Sequence, residues 1–422
     1  MIRPFGDGRD RYFTERLGMF IHWGLYAIPA WHEQILWRSD MKRSDYEQLV
    51  QRFDPDRFDP DEWLVAAESA GMSFVVITTK HHDGFCLWDT KLTDYSVMHT
   101  PYGRDILAQL AEACARRGIA LGFYYSCPDW HHPHYPNLGR HHEMFGPRPG
   151  DQPDLGAYWE FVRGQVRELC TNYGPLRDFF WDVNVAEHHD PSLNEMVREL
   201  QPGILINDRG PSPGDYGTPE RHVPEAREFD SPTQAVQALG RESWGYREDE
   251  DYYSDRHIIE SIDRVLAMGG DYILNVGPKA DGSLPVGNLG TLAQVGNWYR
   301  QVREAFDGTV PASTVIDDDA IGMHGGERHV PRDSMLVTRK GNSFYVHLPA
   351  APQSTGLILK PLRVAPERAT LLNDGSELRA TVETTPWHWQ EPPYLRLSGL
   401  PVNRMAGTVM VIRLEFGDDV VA

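Results

Sequence analysis

One alternation constrains this chain more than anything else in it. Through the first three-quarters, short and almost wholly apolar runs are separated by longer amphipathic ones. The apolar runs read MFIHW (19–23), FVVITTK (74–80), ALGFYYS (120–126), DFFWDV (178–183), ILIND (204–208) and YILNVG (272–277). A strand that is apolar on both faces has no side for water, so it belongs in a parallel sheet covered by helices. The stretches between carry helix punctuation. Asp59 and Pro60 open a helix that stops at Gly71, Asp105 opens one that stops at Gly118, and Ser192 with Glu195 reads as a capping box. Six strands, with polar territory for two more, predict an α/β fold, a (β/α)8 TIM-like barrel. A doubly wound open sheet is the alternative, weakened because no G-x-G-x-x-G follows an early strand.

Beyond the helix that ends near Gly308 the texture changes. SMLVTRKGNSFYVHL, GLILKPL, RATLLNDGSELRATVE, YLRLSGL and GTVMVIRLEF are short alternating runs punctuated by Gly-Asn and Asp-Gly turns. That pattern predicts a C-terminal all-β sandwich. The expected division is therefore a catalytic barrel over 1–308 and a β-sandwich over 309–422.

Composition narrows the function. A net charge of −20 repels phosphate backbones, so nucleic acid is not an expected partner. No apolar run reaches the roughly 18 residues of a membrane span. The opening MIRPFGDGRDRYF lacks the apolar core of a secretory signal, and the cytoplasm is the expected location. Cys86, Cys114, Cys127 and Cys170 form no C-x-x-C pair, so neither a disulfide framework nor a zinc knuckle is expected. Homo-oligomer formation is left open.

In a barrel of this kind the C-terminal ends of the strands line the active site. Here those ends are loaded with polar and aromatic groups: His22 and Trp23, then His81, His82 and Asp83, then Tyr124, Tyr125, Asp129 and Trp130. Trp181 and Asp182 end the fourth run, and Asn207, Asp208 and Arg209 the fifth. Metal chemistry is disfavoured, because the first strand carries a lone histidine and WHHPHYP is a proline-punctuated loop. The better reading is a pocket for a neutral, hydroxylated substrate around a carboxylate. Asp182, on an apolar strand, is either the nucleophile or base of that pocket or a structural acceptor of backbone amides.

MFIHWGLYAIPA, AGMSFVVITTKHHDGFCLWDT, GFYYSCPDW, FFWD, SWGY and GGDYILNVGPKADG together resemble glycoside hydrolase family 29, the α-L-fucosidases. The resemblance runs in order from about residue 16 to 307. It implies cofactor-free, retaining hydrolysis of a terminal α-L-fucosyl bond in a fucosylated oligosaccharide or glycoside. It places the nucleophile at Asp182 and the sugar-binding histidines at His22, His81 and His82, with Tyr124 beside them. Trp181, Trp244, Glu33 and Trp37 complete the expected sugar contacts.

Two departures from the family pattern matter. Where the family commonly shows Glu-Trp, this chain has Glu33 followed by Gln34, with Trp37 three residues on. A pocket opened there would admit a fucose-like sugar such as L-galactose. The position about nine residues before SWGY, where many members carry the acid, is Gln234, an amide that contacts sugar at most. Three accounts compete: the acid is Glu220 or Glu228 of the upstream loop, or glutamine has replaced an acid at 234 by design, or the chain binds sugar without cleaving it.

Overall fold

The computed structural model describes residues 2–184, 188–313, 335–359, 362, 364–383 and 393–417. Its first sheet holds seven strands: β1 (Leu17–Ile21), β2 (Phe74–Lys80), β3 (Ala120–Ser126), β4 (Asp178–Asp182), β5 (Leu205–Ile206), β6 (Gln234–Ala238) and β7 (Asp271–Val276). They lie in the order β5-β4-β3-β2-β1-β7-β6, and every neighbouring pair is parallel. All six apolar runs are strands. The seventh, β6, comes from QAVQA, which is fully buried yet alternates amides with aliphatics and so lacks the continuous apolar signature.

Among the described residues there is no regular eighth strand. An irregular segment runs between β5 and β6 instead, through single parallel bridges of Tyr216 to Asn207, Gly217 to Thr233 and Glu220 to Val236. Strand periodicity sorts the side chains into two layers. Phe20, Phe74, Val76, Tyr124, Phe180, Leu205, Val236 and Ile273 pack together on one face, with Tyr216 of the irregular segment. Their neighbours Met19, Val75, Ile77, Phe123, Phe179 and Trp181 pack with the helices on the other.

The helix signals mostly hold. Helix Pro60–Ser69 begins at Asp59, whose carboxylate accepts from the Asp61 N–H, and Ile106–Arg117 begins at Asp105 and leaves through Gly118 at φ +70°. The capping box is a correction. Helix Pro191–Leu200 starts one residue before Ser192, with Asp190 accepting from the Ser192 N–H at 3.0 Å. Proline preset for the first helical position and a carboxylate just before it outcompete the serine.

The foot of the sheet, where the strands begin, is closed by a buried ionic knot. Arg177 pairs with Asp178, with Asp271 at 2.7 Å and with Glu15 at 3.1 Å, and its guanidinium lies 3.6 Å from the Phe74 ring centre. Tyr216 donates to the other Asp178 oxygen at 3.1 Å. Burial, against the pull of Arg177, pushes the Asp271 carboxyl up to about 7.

The C-terminal residues form two antiparallel sheets. The larger contains β8 (Val310–Pro311), β9 (Leu336–Lys340), β10 (Ser343–Leu348), β12 (Arg368–Leu371) and β15 (Met410–Glu415); the smaller contains β11 (Gly356–Leu359), β13 (Arg379–Glu383) and β14 (Tyr394–Ser398). Val337, Phe344, Val346 and Ile412 of the one share a buried cluster with Leu357, Leu359, Leu395 and Leu397 of the other. The larger sheet docks on the helices. His347 of β10 meets buried Asp263 of helix Asp255–Ala267 at 2.8 Å, and Trp298 of helix Val286–Val302 donates to the Val409 carbonyl at 3.1 Å. The four cysteines are free and buried, and no described helix is long and apolar enough to cross a membrane.

Candidate active site

The carboxyl ends of the strands bring the polar residues together. Asp182 is the last residue of β4 and pairs with Ser126 of β3. His81 and His82 follow directly on β2, and His22 follows on β1 with its N–H donating to the Val276 carbonyl at 3.1 Å. Tyr124 donates to Asp182 Oδ2 at 2.6 Å, and Arg209 donates through Nη1 to Asp182 Oδ1 at 3.0 Å. The same Nη1 contacts Glu220 Oε2 at 2.8 Å. The two carboxylate oxygens are therefore no farther apart than those two contacts laid end to end. Contact through one nitrogen sets the two carboxylates close together, as in the roughly 5–5.5 Å spacing of retaining glycosidase pairs.

Burial raises the Asp182 pKa, but the Arg209 guanidinium and the Tyr124 hydroxyl outweigh it, and the carboxyl is held below its usual range. The group is thus an anion at neutral pH. The histidines are the reverse case. Burial pulls His22 down to about 4 and His82 to about 3, and with its histidine neighbours pulls His81 well below its ordinary value. Neutral rings both donate and accept, which suits hydroxyl groups.

The hydrogen-bond network assigns the tautomers. Asn275 Nδ2 donates to the Trp244 carbonyl at 2.6 Å, so its Oδ1 accepts from His22 Nδ1–H at 2.6 Å. Ser126 spends its proton on the Pro128 carbonyl, so its oxygen accepts from His82 Nδ1–H at 2.7 Å. Both rings then present a bare Nε2 as acceptor, that of His82 at 3.8 Å from Asp182. Buried His81 Nδ1 has no hydrogen-bond partner among the described residues. Glu33 joins the site from the other side, accepting from Ser243 Oγ at 2.8 Å and from the Trp244 N–H at 2.9 Å, while the Trp244 ring stacks on His22 at 5.4 Å. Trp37 stacks on His142 at 5.3 Å.

The other ionisable groups beside β2 are satisfied structurally. Lys80 pairs with Asp129 at 2.9 Å, both buried, and Asp83 accepts from Tyr46 at 2.6 Å. Among the described residues no group of three or more His, Cys, Asp and Glu side chains could hold a metal ion.

Three expected site residues lie elsewhere. Trp181 faces the helices and donates to Asn194 at 2.9 Å, because alternation along β4 turns Phe180 and Asp182 to the opposite side. Exposed Glu228 precedes Phe229, whose N–H reaches the Met268 carbonyl just before β7, so it lies at the foot of the sheet. Gln234 opens β6 and pairs with Asp271, also at the foot. The acid-deficient reading rested on Gln234 standing where the acid belongs, and that basis is gone. Sequence reasoning named Arg209 without a partner and passed over Phe180, Asn275 and His142. A buried aspartate on an apolar strand needs a nearby cation, and this was the signal available for Arg209.

Two carboxylates bridged by one guanidinium, amid rings kept neutral by burial, are the equipment of a glycoside hydrolase. The comparisons say which. A family model described as Alpha-L-fucosidase matches residues 8–304. Tissue alpha-L-fucosidase of Mus musculus is 26% identical over 339 residues, 71% of this chain and 72% of its own. Among solved structures, alpha-L-fucosidase isoenzyme 1 from Paenibacillus thiaminolyticus has a TM-score of 0.82 at 33% identity, covering 97% of this chain and 99% of its own. A GH29 alpha-L-fucosidase from Bacteroides thetaiotaomicron, trapped as a covalent intermediate with 2-fluoro-fucosyl fluoride through a glutamate-to-glutamine mutant, has a TM-score of 0.79 at 29% identity, covering 98% and 97%. The chain belongs to the alpha-L-fucosidase family, glycoside hydrolase family 29.

Proposed function

We propose that this chain is a retaining exo-α-L-fucosidase in which Asp182 is the nucleophile and Glu220 the acid/base. The observation that carries it is the Arg209 bridge, in which one nitrogen contacts an oxygen of each carboxylate, an approach that suits the close pair of a retaining enzyme. Asp182 attacks the anomeric carbon as the bond to the leaving oxygen breaks, and protonated Glu220 gives its proton to that oxygen. Water then attacks the glycosyl–Asp182 ester, losing a proton to Glu220 and freeing the carboxylate. Tyr124 and Arg209 hold the nucleophile's two oxygens, and His22, His81, His82, Glu33 and Trp244 receive the sugar. The covalent intermediate of the Bacteroides thetaiotaomicron relative supports the same route.

The architecture follows the same reading. The seven parallel strands and the 216–220 segment close as a (β/α)8-type barrel over 1–308, and the two antiparallel sheets stack as a sandwich over 309–422. Bridges on both sides of the segment and the apolar cluster shared by the sheets support this.

The test is hydrolysis of 4-nitrophenyl α-L-fucoside and of a fucosylated oligosaccharide, with proton NMR of the first anomer released. The parent should cleave both and release the α-anomer first. Glu220→Gln should lower kcat/KM on the oligosaccharide roughly 10²–10⁴-fold while keeping much of kcat/KM on the aryl glycoside, whose leaving group needs little protonation, and kcat should fall on both because the ester step loses its base. A β-anomer as first product sinks the mechanism.

A further inference from the structure

The departure from Glu-Trp at Gln34 leaves a wall of the pocket to be built from other residues, and a loop distant in sequence builds it. His142 stacks on Trp37 with an interplanar angle of 20° and lies 5.1 Å from the His82 ring. Its backbone sits in the left-handed region at φ +62°, which histidine tolerates better than most residues. The conformation is tied down from several sides. Trp130 Nε1 donates to the His142 carbonyl at 2.9 Å, and Asn137 Oδ1 accepts from the Met144 N–H at 3.1 Å.

The ring's polarity follows from one obligate donor. Arg38 Nε donates to Gln34 Oε1 at 2.8 Å, so the Gln34 nitrogen faces His142 Nδ1 at 3.3 Å. An amide nitrogen only donates, so Nδ1 accepts and the proton of the neutral ring is on Nε2. Burial and the neighbouring His141 hold this imidazole down at about 4, which keeps it neutral. His22 and His82 present acceptors to the pocket; His142 carries the opposite sign.

We propose that His142 is a specificity-determining residue whose Nε2–H donates to a hydroxyl of the bound sugar, on a wall built by Trp37 and Gln34. This rests on an α-L-fucosyl ring being seated over Asp182. Gln34 sets the donor by holding Nδ1 as acceptor, and Trp37 supports the ring from beneath.

The experiment compares the parent, His142→Phe and His142→Asn on 4-nitrophenyl α-L-fucoside and its 2-, 3- and 4-deoxy analogues. Phenylalanine keeps the stacked ring without the donor; asparagine suits the left-handed backbone but is too short to reach. Both variants should raise KM roughly tenfold with kcat within about twofold, the loss of one neutral hydrogen bond. One deoxy analogue should be handled alike by parent and variants, identifying the hydroxyl. Thermal unfolding checks that each variant is folded, and the asparagine variant decides if phenylalanine strains the loop. Unchanged KM in the folded variants of an active parent, or the same added loss on every analogue, overturns the role of His142 alone. A parent silent on every fucoside instead overturns the function it rests on.

Discussion

The two ends of the parallel sheet solve one electrostatic problem in opposite ways. At the foot, Arg177 lies among Asp178, Asp271 and Glu15, and Arg177 and both aspartates are 0% exposed. At the crown, Arg209 lies between Asp182 and Glu220, with side chains 23%, 12% and 39% exposed. Each end sets one arginine among acids, three at the foot and two at the crown; the access differs, since of the foot's four groups Glu15 alone reaches solvent, at 25%. A sealed cluster cannot exchange its partners for a ligand, so its strength goes into holding strand starts together. An open one releases its carboxylates to whatever enters. Arginine between acids thus marks a site only where one side of it faces space.

Removing a group from each end should separate the two roles, and the largest effect belongs to the crown. Asp182→Ala should lower kcat on 4-nitrophenyl α-L-fucoside roughly 10⁴-fold or more while sugar binding, read by calorimetry, persists. At the foot, Arg177→Met should cost roughly 3–5 kcal/mol of stability in urea titration, because two buried carboxylates lose their cation. Arg209→Met should divide the other way, losing less stability than Arg177→Met because Asp182 keeps the Tyr124 hydroxyl and an open side, with kcat/KM down roughly 100- to 1,000-fold. If Arg209→Met instead unfolded the chain, the crown would be as structural as the foot.

The smallest effect is in pH. His22 and His82 fall to about 4 and about 3, so below their ordinary pKa of roughly 6.5 the unfolded chain binds protons that the folded one refuses. The crown therefore loses stability as pH falls from 6.5 toward 4. Asp271, raised to about 7, has the opposite sign: its contribution is complete below the unfolded value and is lost as pH rises through 7. Asp271→Asn removes that counterweight. Its melting temperature should drop more steeply than the parent's between pH 6.5 and 4.5, with a limit of about 1.4 kcal/mol per pH unit for the one group removed.

Much of this was legible in the residues because burial on both faces leaves an unbroken apolar run, and the six strands that have one were found. Strand β6 was missed because Gln234 and Gln237 interrupt its run although both are buried. Residues at a strand's end or just past it are readable because the strand aims them: His22, His81, His82 and Asp182 come together. Trp181 was misassigned because a motif does not say which neighbour faces inward, whereas alternation along the strand does. Glu228 and Gln234 failed because counting along an irregular loop carries no geometry. His142 belongs to no strand, and only the folded chain brings it to Gln34 and Trp37.

The contact between His347 and Asp263 has a consequence for recombination. Asp263 is buried, with one oxygen on that histidine and the other without a hydrogen-bond partner among the described residues. A chimaera that traded the antiparallel sheets for those of another protein would inherit a buried carboxylate stripped of its histidine. The tail is thus no interchangeable cassette: grafting it elsewhere, or replacing it here, succeeds only if the new sheet brings a histidine to the same spot or the helix gives up its aspartate.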